Sequence, residues 1–282
     1  MRFLYLFAKR FIAGEDLDAA IERAKQLRRK HLRLTIDILG EDVENIIDAR
    51  HAVVEYQKLI DRIKKENLDA TISLKLTHLG LSLNEHICKI NLLKILDYAE
   101  REKVSIEIDM ESSQYTTSTI KLYTQITKKY PTTMITIQSY LKRSKKDILS
   151  ILKKRPSIRL VKGAYQESHL IAFENKKDVD QNYEELMYLL LTKAKHTHIA
   201  THDETLIRKA LRFIQKNHIP EEQYEFAFLL GIKKSLQIKL ARDGYSVRIY
   251  LPYGEEWLPY VLRRIRERKE NLFFVLRNIF SQ

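Results

Sequence analysis

The stretch Val247–Asn278, VRIYLPYGEEWLPYVLRRIRERKENLFFVLRN, contains the unit that decides the fold of this 282-residue chain. Residues Val247–Leu251 alternate β-branched and aromatic side chains, which predicts a short strand. Pro252 and Gly254 end that strand, because proline cannot continue a hydrogen-bond ladder and glycine permits a turn. An amphipathic helix is expected to start near residues 255–259. The stretch therefore predicts one strand followed by one helix.

The predicted helix has two different sides. The residues at the spacing of an apolar, buried side are Leu258, Val261, Leu262 and Ile265. The residues that share the polar side are Tyr260, Arg263, Arg264 and Glu267. Adjacent guanidiniums suit a carboxylate or a phosphate, which they can bind in a bidentate way, and Glu267 is placed to hold one of them. The alternative is a solvated helix with ordinary i,i+4 charge pairs.

The same strand-then-helix unit recurs along the chain. The seven earlier predicted strands are Leu32–Leu39, Thr71–Thr77, Val104–Met110, Met134–Tyr140, Ser157–Gly163, His198–His202 and Tyr224–Leu230. A helix is expected after each strand, the first being a long helix over Glu41–Glu66. Strict alternation predicts parallel strands, and eight units in about 250 residues match an α/β fold of the closed (β/α)₈ TIM-barrel type. A doubly wound open sheet is the alternative, because strand count alone does not show closure.

No linker or composition shift divides the chain, so we expect one domain over residues 1–282. Leading helices are predicted over about residues 1–31, the barrel over about 32–268, and a C-terminal helix over Asn271–Phe280. Asp16 and Asn84 are candidate N-caps of helices. Near the N-terminus, one helical stripe consists of Phe3, Leu4, Phe7 and Phe11. This stripe is either a packing face or a contact with a membrane surface.

Composition narrows the possible functions. A formal net charge of +13 and a pI near 9.5 favour an anionic partner. No basic tail or recognition motif supports specific nucleic-acid binding, so we expect no nucleic-acid partner. The single cysteine, Cys88, excludes a disulfide framework and fits a reducing compartment. No apolar stretch of the sequence is long enough to form a transmembrane helix.

Familiar catalytic motifs are absent from the sequence. It contains no G-x-G-x-x-G, no P-loop and no G-x-S-x-G, which argues against a Rossmann nucleotide site and a serine hydrolase. His196 and His198 flank a predicted strand start, whereas His202 lies past the end of that strand. We therefore expect no metal site formed by these histidines.

Polar residues follow the predicted strands, where a (β/α)₈ barrel carries its active site. These residues are Lys75, Asp109, Gln138, Lys162, Thr201, His202 and Tyr250, with Arg263 and Arg264 just beyond. Together they predict a ring of cations and hydrogen-bond donors around one opening. Such a ring suits an anionic substrate beside an anionic or electron-rich cofactor.

Several motifs of the chain resemble those of the proline dehydrogenase family. The segments that carry the resemblance are TIDILGE (35–41), KLTHLG (75–80), IDME (108–111), IQSYL (137–141), RLVKGAY (159–165), ATHDE (200–204), EFAFLLGI (225–232) and RIYLPYGEEWLPYVLRRIRER (248–268). They occur in the family's order and extend over nearly the whole chain. The resemblance implies a monofunctional, bacterial-type enzyme with a flavin-binding (β/α)₈ barrel, in agreement with the alternation of strands and helices.

The resemblance also implies a role for each matching residue. Catalytic positions would be Asp109 and Arg159, with Arg159 next to the reactive flavin ring. Residues that would bind the substrate are Lys75, Tyr250, Arg263, Arg264 and Glu267. Residues that would contact FAD are Met110, Gln138, Lys162, Gly163, Ala164, Thr201 and His202. The implied reaction oxidises L-proline to 1-pyrroline-5-carboxylate, the first step of proline catabolism, with hydride transfer to FAD N5 and electrons passing to a membrane quinone.

Two other functions remain open at this point. A basic nucleic-acid-binding protein would use the net charge, and a flavin-free barrel enzyme would act on a phosphorylated substrate. For the proline dehydrogenase we expect a cytoplasmic location with peripheral contact at the inner face of the cell membrane. Oligomeric state, the physiological electron acceptor and the proton acceptor for the substrate amine do not follow from the sequence.

Overall fold

A computed structural model describes Tyr5 and residues 8–266, except for the side chains of residues 265 and 266. Eight strands form a closed barrel in chain order, and each strand pairs in parallel with the next. The strands are β1 (Arg33–Ile38), β2 (Ala70–Leu74), β3 (Ser105–Ile108), β4 (Met134–Gln138), β5 (Ser157–Val161), β6 (His196–Ala200), β7 (Tyr224–Leu229) and β8 (Val247–Tyr253). Pairing of β8 with β1 closes the barrel, which confirms the predicted (β/α)₈ fold and excludes the open sheet.

Among the elements that the structure describes in full, one α-helix precedes β1 and one follows each strand. In the described part of the chain these are α1 (Leu17–Arg28), α2 (Ile46–Lys65), α3 (Glu85–Glu102), α4 (Ser113–Ile126), α5 (Ser144–Leu152), α6 (Lys176–Lys193), α7 (Glu204–Asn217), α8 (Lys234–Arg242) and α9 (Trp257–Arg266). Asp16 caps α1 by accepting a hydrogen bond from Ala19 N at 2.8 Å, and Asn84 caps α3. Both predicted N-caps are confirmed.

The main hydrophobic core lies between the barrel and its helices. Ile36, Ile72 and Ile249 are buried strand residues of this layer, and Leu59 and Leu92 are among the helix residues that cover it. Each fully buried side chain of this size contributes about 1.5–3 kcal/mol, so this layer holds the strands in place. Within the described residues, no helix is both long enough and apolar enough to cross a membrane.

Helix α2 begins later than predicted. The expected helix over Glu41–Glu66 is wrong in its first turn, because Asp42 adopts the left-handed conformation with φ +51°. Asn45 then caps the helix by accepting a hydrogen bond from Asp48 N at 2.9 Å. Glu41 consequently lies in the loop between β1 and α2, at the carboxyl end of the barrel.

Strand β8 continues through Pro252 to Tyr253, although the sequence predicted that Pro252 would end it. The C=O of Tyr250 bonds to Leu230 N and that of Tyr253 bonds to Leu39 N, so alternate residues face β7 and β1. The missing N–H of Pro252 therefore lies on the β7 side, beyond the last paired residue of β7, and no ladder bond is lost.

Helix α9 buries Val261, as predicted, and also Tyr260, which was predicted on the polar side. Trp257, Tyr260 and Val261 are buried in a small cluster with leading residues such as Phe11, whereas Leu258 and Leu262 are each 39% exposed. The prediction was wrong for these two leucines because α9 packs on the leading segment through its aromatic side. Ile265 has no described side chain. Phe3, Leu4, Phe7, Glu267 and the predicted helix Asn271–Phe280 lie outside the described residues.

Candidate active site

Asp109 is the centre of a buried ionic network at the carboxyl end of the barrel. Its Oδ1 accepts hydrogen bonds from Ser73 Oγ at 2.7 Å and from Arg159 Nη2. Its Oδ2 accepts from the Tyr250 hydroxyl at 2.7 Å and lies 3.5 Å from Lys75 Nζ. Residues in or just after β2, β5 and β8 thus converge on one carboxylate, which follows β3.

The charges in this network support one another. Burial disfavours the ionised form of Asp109, but Arg159 and Lys75 hold the pKa of that carboxyl below its ordinary value. Burial also disfavours charge on Lys75, and the carboxylates of Asp37 and Asp109 nevertheless raise its pKa. Both groups are therefore ionised at neutral pH, although they are almost wholly removed from water.

Asp37 is a member of the network that the sequence did not single out. Its Oδ1 accepts a hydrogen bond from Lys75 Nζ at 2.8 Å, and its side chain is fully buried. Burial, together with the nearby charge of Asp109, raises the pKa of Asp37 to about 6 despite the opposing effect of Lys75. Its position inside the motif TIDILGE was the available signal, because an acid within a buried strand requires a partner.

Arg159 is held in place from several directions. Its guanidinium lies 4.7 Å from the centroid of the Tyr250 ring, in cation–π contact. Its Nε donates a hydrogen bond to Thr136 Oγ1 at 3.1 Å and lies 3.1 Å from Glu107 Oε1. With Asp109 on its outer nitrogen, the guanidinium is a fixed cation beneath the opening.

A second group of residues lies at the opening itself. Both outer nitrogens of Arg263 contact the carboxylate of Glu41, the longer contact being 3.3 Å from Nη2 to Oε2. The same guanidinium lies 5.5 Å from the centroid of the Tyr165 ring, and the Tyr165 hydroxyl donates to Glu41 Oε2 at 3.2 Å. Burial lowers the pKa of Arg263, but the stronger effect of Glu41 and Tyr165 raises it. Glu41 and Tyr165 were not predicted as site residues, although both occur in the motifs quoted above.

Arg264 has a different environment from its sequence neighbour. Its guanidinium lies 5.1 Å from the centroid of the Tyr260 ring, on the same helix. The adjacent guanidiniums of Arg263 and Arg264 thus have different aromatic neighbours, Tyr165 and Tyr260. Glu267, which the sequence places beside them, lies outside the described residues.

Lys162 belongs to a separate charged cluster that follows β5 and β6. Its Nζ contacts Asp180 and lies 3.2 Å from Asp203 Oδ2. Lys176 contacts the same two carboxylates, at 2.9 Å in the case of Asp203. Although burial favours protonation of Asp203, the two lysines hold its pKa well below the usual value. The hydroxyl of Thr201 accepts a hydrogen bond from Asp203 N at 3.2 Å and belongs to the same loop.

Other residues predicted to contact a cofactor line the neighbouring strand ends. Gln138 Nε2 donates to the backbone oxygen of Glu111 at 2.8 Å, and His202 Nε2 accepts from Leu229 N at 3.1 Å. The hydrogen bond to His202 places the proton of its neutral ring on Nδ1. Met110 is buried and Ala164 is half-buried.

Gly163 lies at a close approach between two loops. Its φ is +121°, and a Cβ added there would lie 2.2 Å from the ring of Tyr140. No other residue type fits this position without displacing Tyr140, because a side chain would be both strained and in collision.

His196 and His198 were expected to flank a strand start, but β6 begins at His196 and includes both. Ligand atoms of His196, His198 and Glu225 lie within 4.8 Å of one another. His198 Nε2 is 2.7 Å from Glu225 Oε1, and Arg248 Nε contacts the same oxygen. Burial raises the pKa of Glu225, but His198 and Arg248 hold it far below its ordinary value. We therefore assign Glu225 to ion pairing with Arg248 inside the barrel.

Comparisons with known proteins identify the family. A family model described as proline dehydrogenase matches residues 20–277. The chain belongs to the proline dehydrogenase family. Proline dehydrogenase 1 of Bacillus subtilis (strain 168) is 38% identical over 277 residues, which are 98% of this chain and 92% of that protein. Proline dehydrogenase of Deinococcus radiodurans is 34% identical over 283 residues, covering 99% and 91% of the two chains.

Longer proteins share the same fold over part of their length. The crystal structure of proline utilization A (PutA) from Bdellovibrio bacteriovorus inactivated by N-propargylglycine aligns with a TM-score of 0.85 at 26% identity. The alignment covers 92% of this proline dehydrogenase family member and 32% of the PutA chain. The resemblance found in the sequence and the barrel it implied are both confirmed, and the similarity to monofunctional bacterial relatives extends over nearly their full length.

Proposed function

We propose that this protein is an FAD-dependent enzyme that oxidises L-proline to 1-pyrroline-5-carboxylate, the first step of proline catabolism. The observation that carries the proposal is the convergence of Lys75, Arg159 and Tyr250 on Asp109 at the carboxyl end of a barrel of this family. Family membership favours this function over a nucleic-acid-binding protein and over a flavin-free enzyme acting on a phosphorylated substrate.

The residues that follow β4, β5 and β6 offer polar and charged groups to a large cofactor. Lys162 and Lys176 bring two ammonium groups together, balanced by the carboxylates of Asp180 and Asp203, and His202 and Thr201 add polar groups on the next loop. The hydroxyl of Ser139 is fully buried and has no hydrogen-bond partner among the described residues, so it can donate to a ligand. The proposed FAD contacts are Met110, Gln138, Lys162, Gly163, Ala164, Thr201 and His202. When bound, FAD supplies at N5 the acceptor for the hydride that leaves the proline carbon next to nitrogen.

The substrate carboxylate is proposed to bind Lys75, Arg263 and Arg264. Arg263 already has a fixed orientation through Glu41 and Tyr165, which lowers the entropy lost when it binds a second carboxylate. Tyr250 is proposed to stack on the proline ring, because its hydroxyl is held by Asp109 and its ring position is therefore fixed. Glu267 is proposed to lie near the substrate amine.

Arg159 and Asp109 are the proposed catalytic residues. Arg159 is a permanent cation, and negative charge that develops beside it is stabilised without reorientation of the protein. Asp109 accepts hydrogen bonds from both this guanidinium and the Tyr250 hydroxyl. It therefore fixes the position of the cation relative to the ring on which proline is proposed to stack. The amine proton leaves to solvent before oxidation in this scheme.

Electrons are proposed to pass from the enzyme to a membrane quinone. The formal net charge of +13 would favour peripheral contact with the anionic inner face of the cell membrane. This proposal places the enzyme in the cytoplasm and at that surface.

Proline-dependent reduction of a soluble quinone analogue tests the function. The purified protein should reduce the analogue only when L-proline is present, and the reaction mixture should contain 1-pyrroline-5-carboxylate, which an aromatic ortho-amino aldehyde traps as a coloured adduct. In a Lys75→Met variant that is shown to be folded, both signals should be absent. Equal rates with and without L-proline would contradict the proposal.

A further inference from the structure

Three hydrogen bonds connect the end of β3 to the loop that follows β1. Thr77 N donates to Glu111 Oε2 at 3.1 Å, and the Thr77 hydroxyl donates to Glu111 Oε1. The oxygen of that hydroxyl accepts a hydrogen bond from Asp42 N at 2.8 Å. Since a hydroxyl has only one proton, its donation to Glu111 leaves its lone pairs for Asp42. Glu111, Thr77 and Asp42 thus form a directed relay, and both Thr77 and Glu111 are buried.

The relay ends on a strained residue. Asp42 has φ +51°, a left-handed conformation that contacts with the surroundings must stabilise. A second anchor acts on its side chain, because the Tyr115 hydroxyl donates to Asp42 Oδ1 at 3.0 Å. The loop conformation therefore depends on contacts that Asp42 makes with Thr77, which follows β2, and with Tyr115 of α4.

The residue before Asp42 is Glu41, which orients Arg263. Glu41 accepts hydrogen bonds from Arg263 and from the Tyr165 hydroxyl. Movement of Asp42 would move Glu41, and with it the charge that fixes the guanidinium of Arg263. Glu111 and Thr77 are buried, whereas Asp42 is exposed and Glu41 is half-buried beside Arg263.

We propose that Thr77 is a positioning residue for recognition of the substrate carboxylate, because it relays Glu111 to Asp42 and thereby fixes Glu41 and Arg263. This inference rests on the proposed function of Arg263. Thr77 itself does not contact the reacting atoms, so its loss should weaken substrate binding and leave the chemical step nearly unchanged.

Thr77→Val tests the relay, because valine preserves the shape of threonine and removes both of its side-chain hydrogen bonds. Glu41 is unchanged in this variant, so a higher KM together with faster exchange of the loop reports how firmly Glu41 is held. We expect the KM for L-proline to rise about tenfold, with kcat changed less than about twofold. Amide hydrogen exchange of residues 39–45 should become faster. Thr77→Ser should restore both properties.

Thr119→Val is the matched control, since Thr119 is equally buried and its hydroxyl has no hydrogen-bond partner among the described residues. It should leave KM and loop exchange unchanged. If Thr77→Val does not fold, Tyr115→Phe decides the question, because it removes the second anchor on Asp42 and should raise KM about threefold.

A wild-type KM in the folded variant would overturn the proposal, whether or not loop exchange had changed. Unchanged exchange of residues 39–45 would also overturn it, because the relay would then not hold the loop. A wild-type protein that does not oxidise proline would contradict the proposed function, and the exchange result would still show whether Thr77 fixes Asp42.

Discussion

Arg263 and Glu41 form an ion pair that joins the helix after the last strand to the loop after the first, across 222 residues of sequence. The pair lies at the opening of the barrel, where the Tyr165 ring also contacts the guanidinium. The protein thus presents an arginine that is already oriented by a carboxylate of its own. A substrate carboxylate that binds here would contact a guanidinium whose orientation Glu41 has already fixed.

Arg263→Met should raise the KM for L-proline steeply. The expected loss is about 2–5 kcal/mol, or about 30-fold to several thousandfold, because a half-buried charged partner is removed and Glu41 is left unpaired. Steady-state kinetics with varied L-proline measures it. Arg143→Met is the control, since Arg143 pairs with Asp147 on an outer helix. Equal KM values for both variants would place Arg263 outside the substrate site.

Asp109→Asn should destabilise the protein far more than Asp37→Asn. Asp109 has a lowered pKa and compensates two cations, so its neutralisation leaves Arg159 and Lys75 underpaired, at about 3–5 kcal/mol. Burial raises the pKa of Asp37 to about 6, which shows that its charge is already poorly stabilised. Urea unfolding at neutral pH compares the two variants, and a larger loss in Asp37→Asn would contradict this ranking.

Glu111 should make stability fall as pH rises. Burial raises the pKa of Glu111 from 4.5 to about 7, although its hydrogen bonds with Thr77 oppose the shift. The folded protein therefore holds this proton more tightly than the unfolded chain does. The associated stability is fully present below pH 4.5 and is lost as pH rises through about 7, by up to about 3 kcal/mol.

Glu111→Gln should remove this part of the pH dependence. Urea unfolding of both proteins at about pH 5 and about pH 8 gives the comparison, and the variant should show the smaller difference between the two conditions. A difference as large as that of the wild-type protein would assign the pH dependence to other groups.

Gly163→Ala should reduce retention of FAD. The new methyl group would lie 2.2 Å from the Tyr140 ring and would displace the loop that carries Lys162 and Ala164. Gly244→Ala is a matched control, because Gly244 also has positive φ but has open space around its Cβ position. The ratio of flavin to protein absorbance after purification should fall in the first variant and persist in the second. Equal ratios would remove Gly163 from the proposed cofactor site.

The sequence predicted the barrel because alternation of strands and helices is a local property. Each strand and its following helix could be recognised from apolar spacing and caps such as Asp16 and Asn84. The predicted start of a helix or its predicted buried side was wrong where a single backbone conformation or a tertiary contact determined it. The left-handed Asp42 delays α2, and packing of α9 on the leading segment leaves Leu258 and Leu262 exposed.

The grouping of strand-end residues around one opening could be predicted for a geometric reason. Closure of the barrel brings strand ends together, so Lys75, Asp109 and Tyr250 were expected at one opening and lie there. Their partners could not be derived in the same way. Asp37 looked like an ordinary strand residue, and Glu41 was placed in a helix. The contact of Glu41 with Arg263 spans 222 residues and leaves no periodic signal in a single sequence.

Anaerobic titration of the purified, FAD-loaded protein with L-proline tests the central claim most directly. The account predicts that the oxidised flavin absorbance disappears in proportion to added L-proline and returns when a quinone analogue is admitted. A flavin spectrum that stays oxidised in excess L-proline, or a protein that binds no FAD at all, would contradict it.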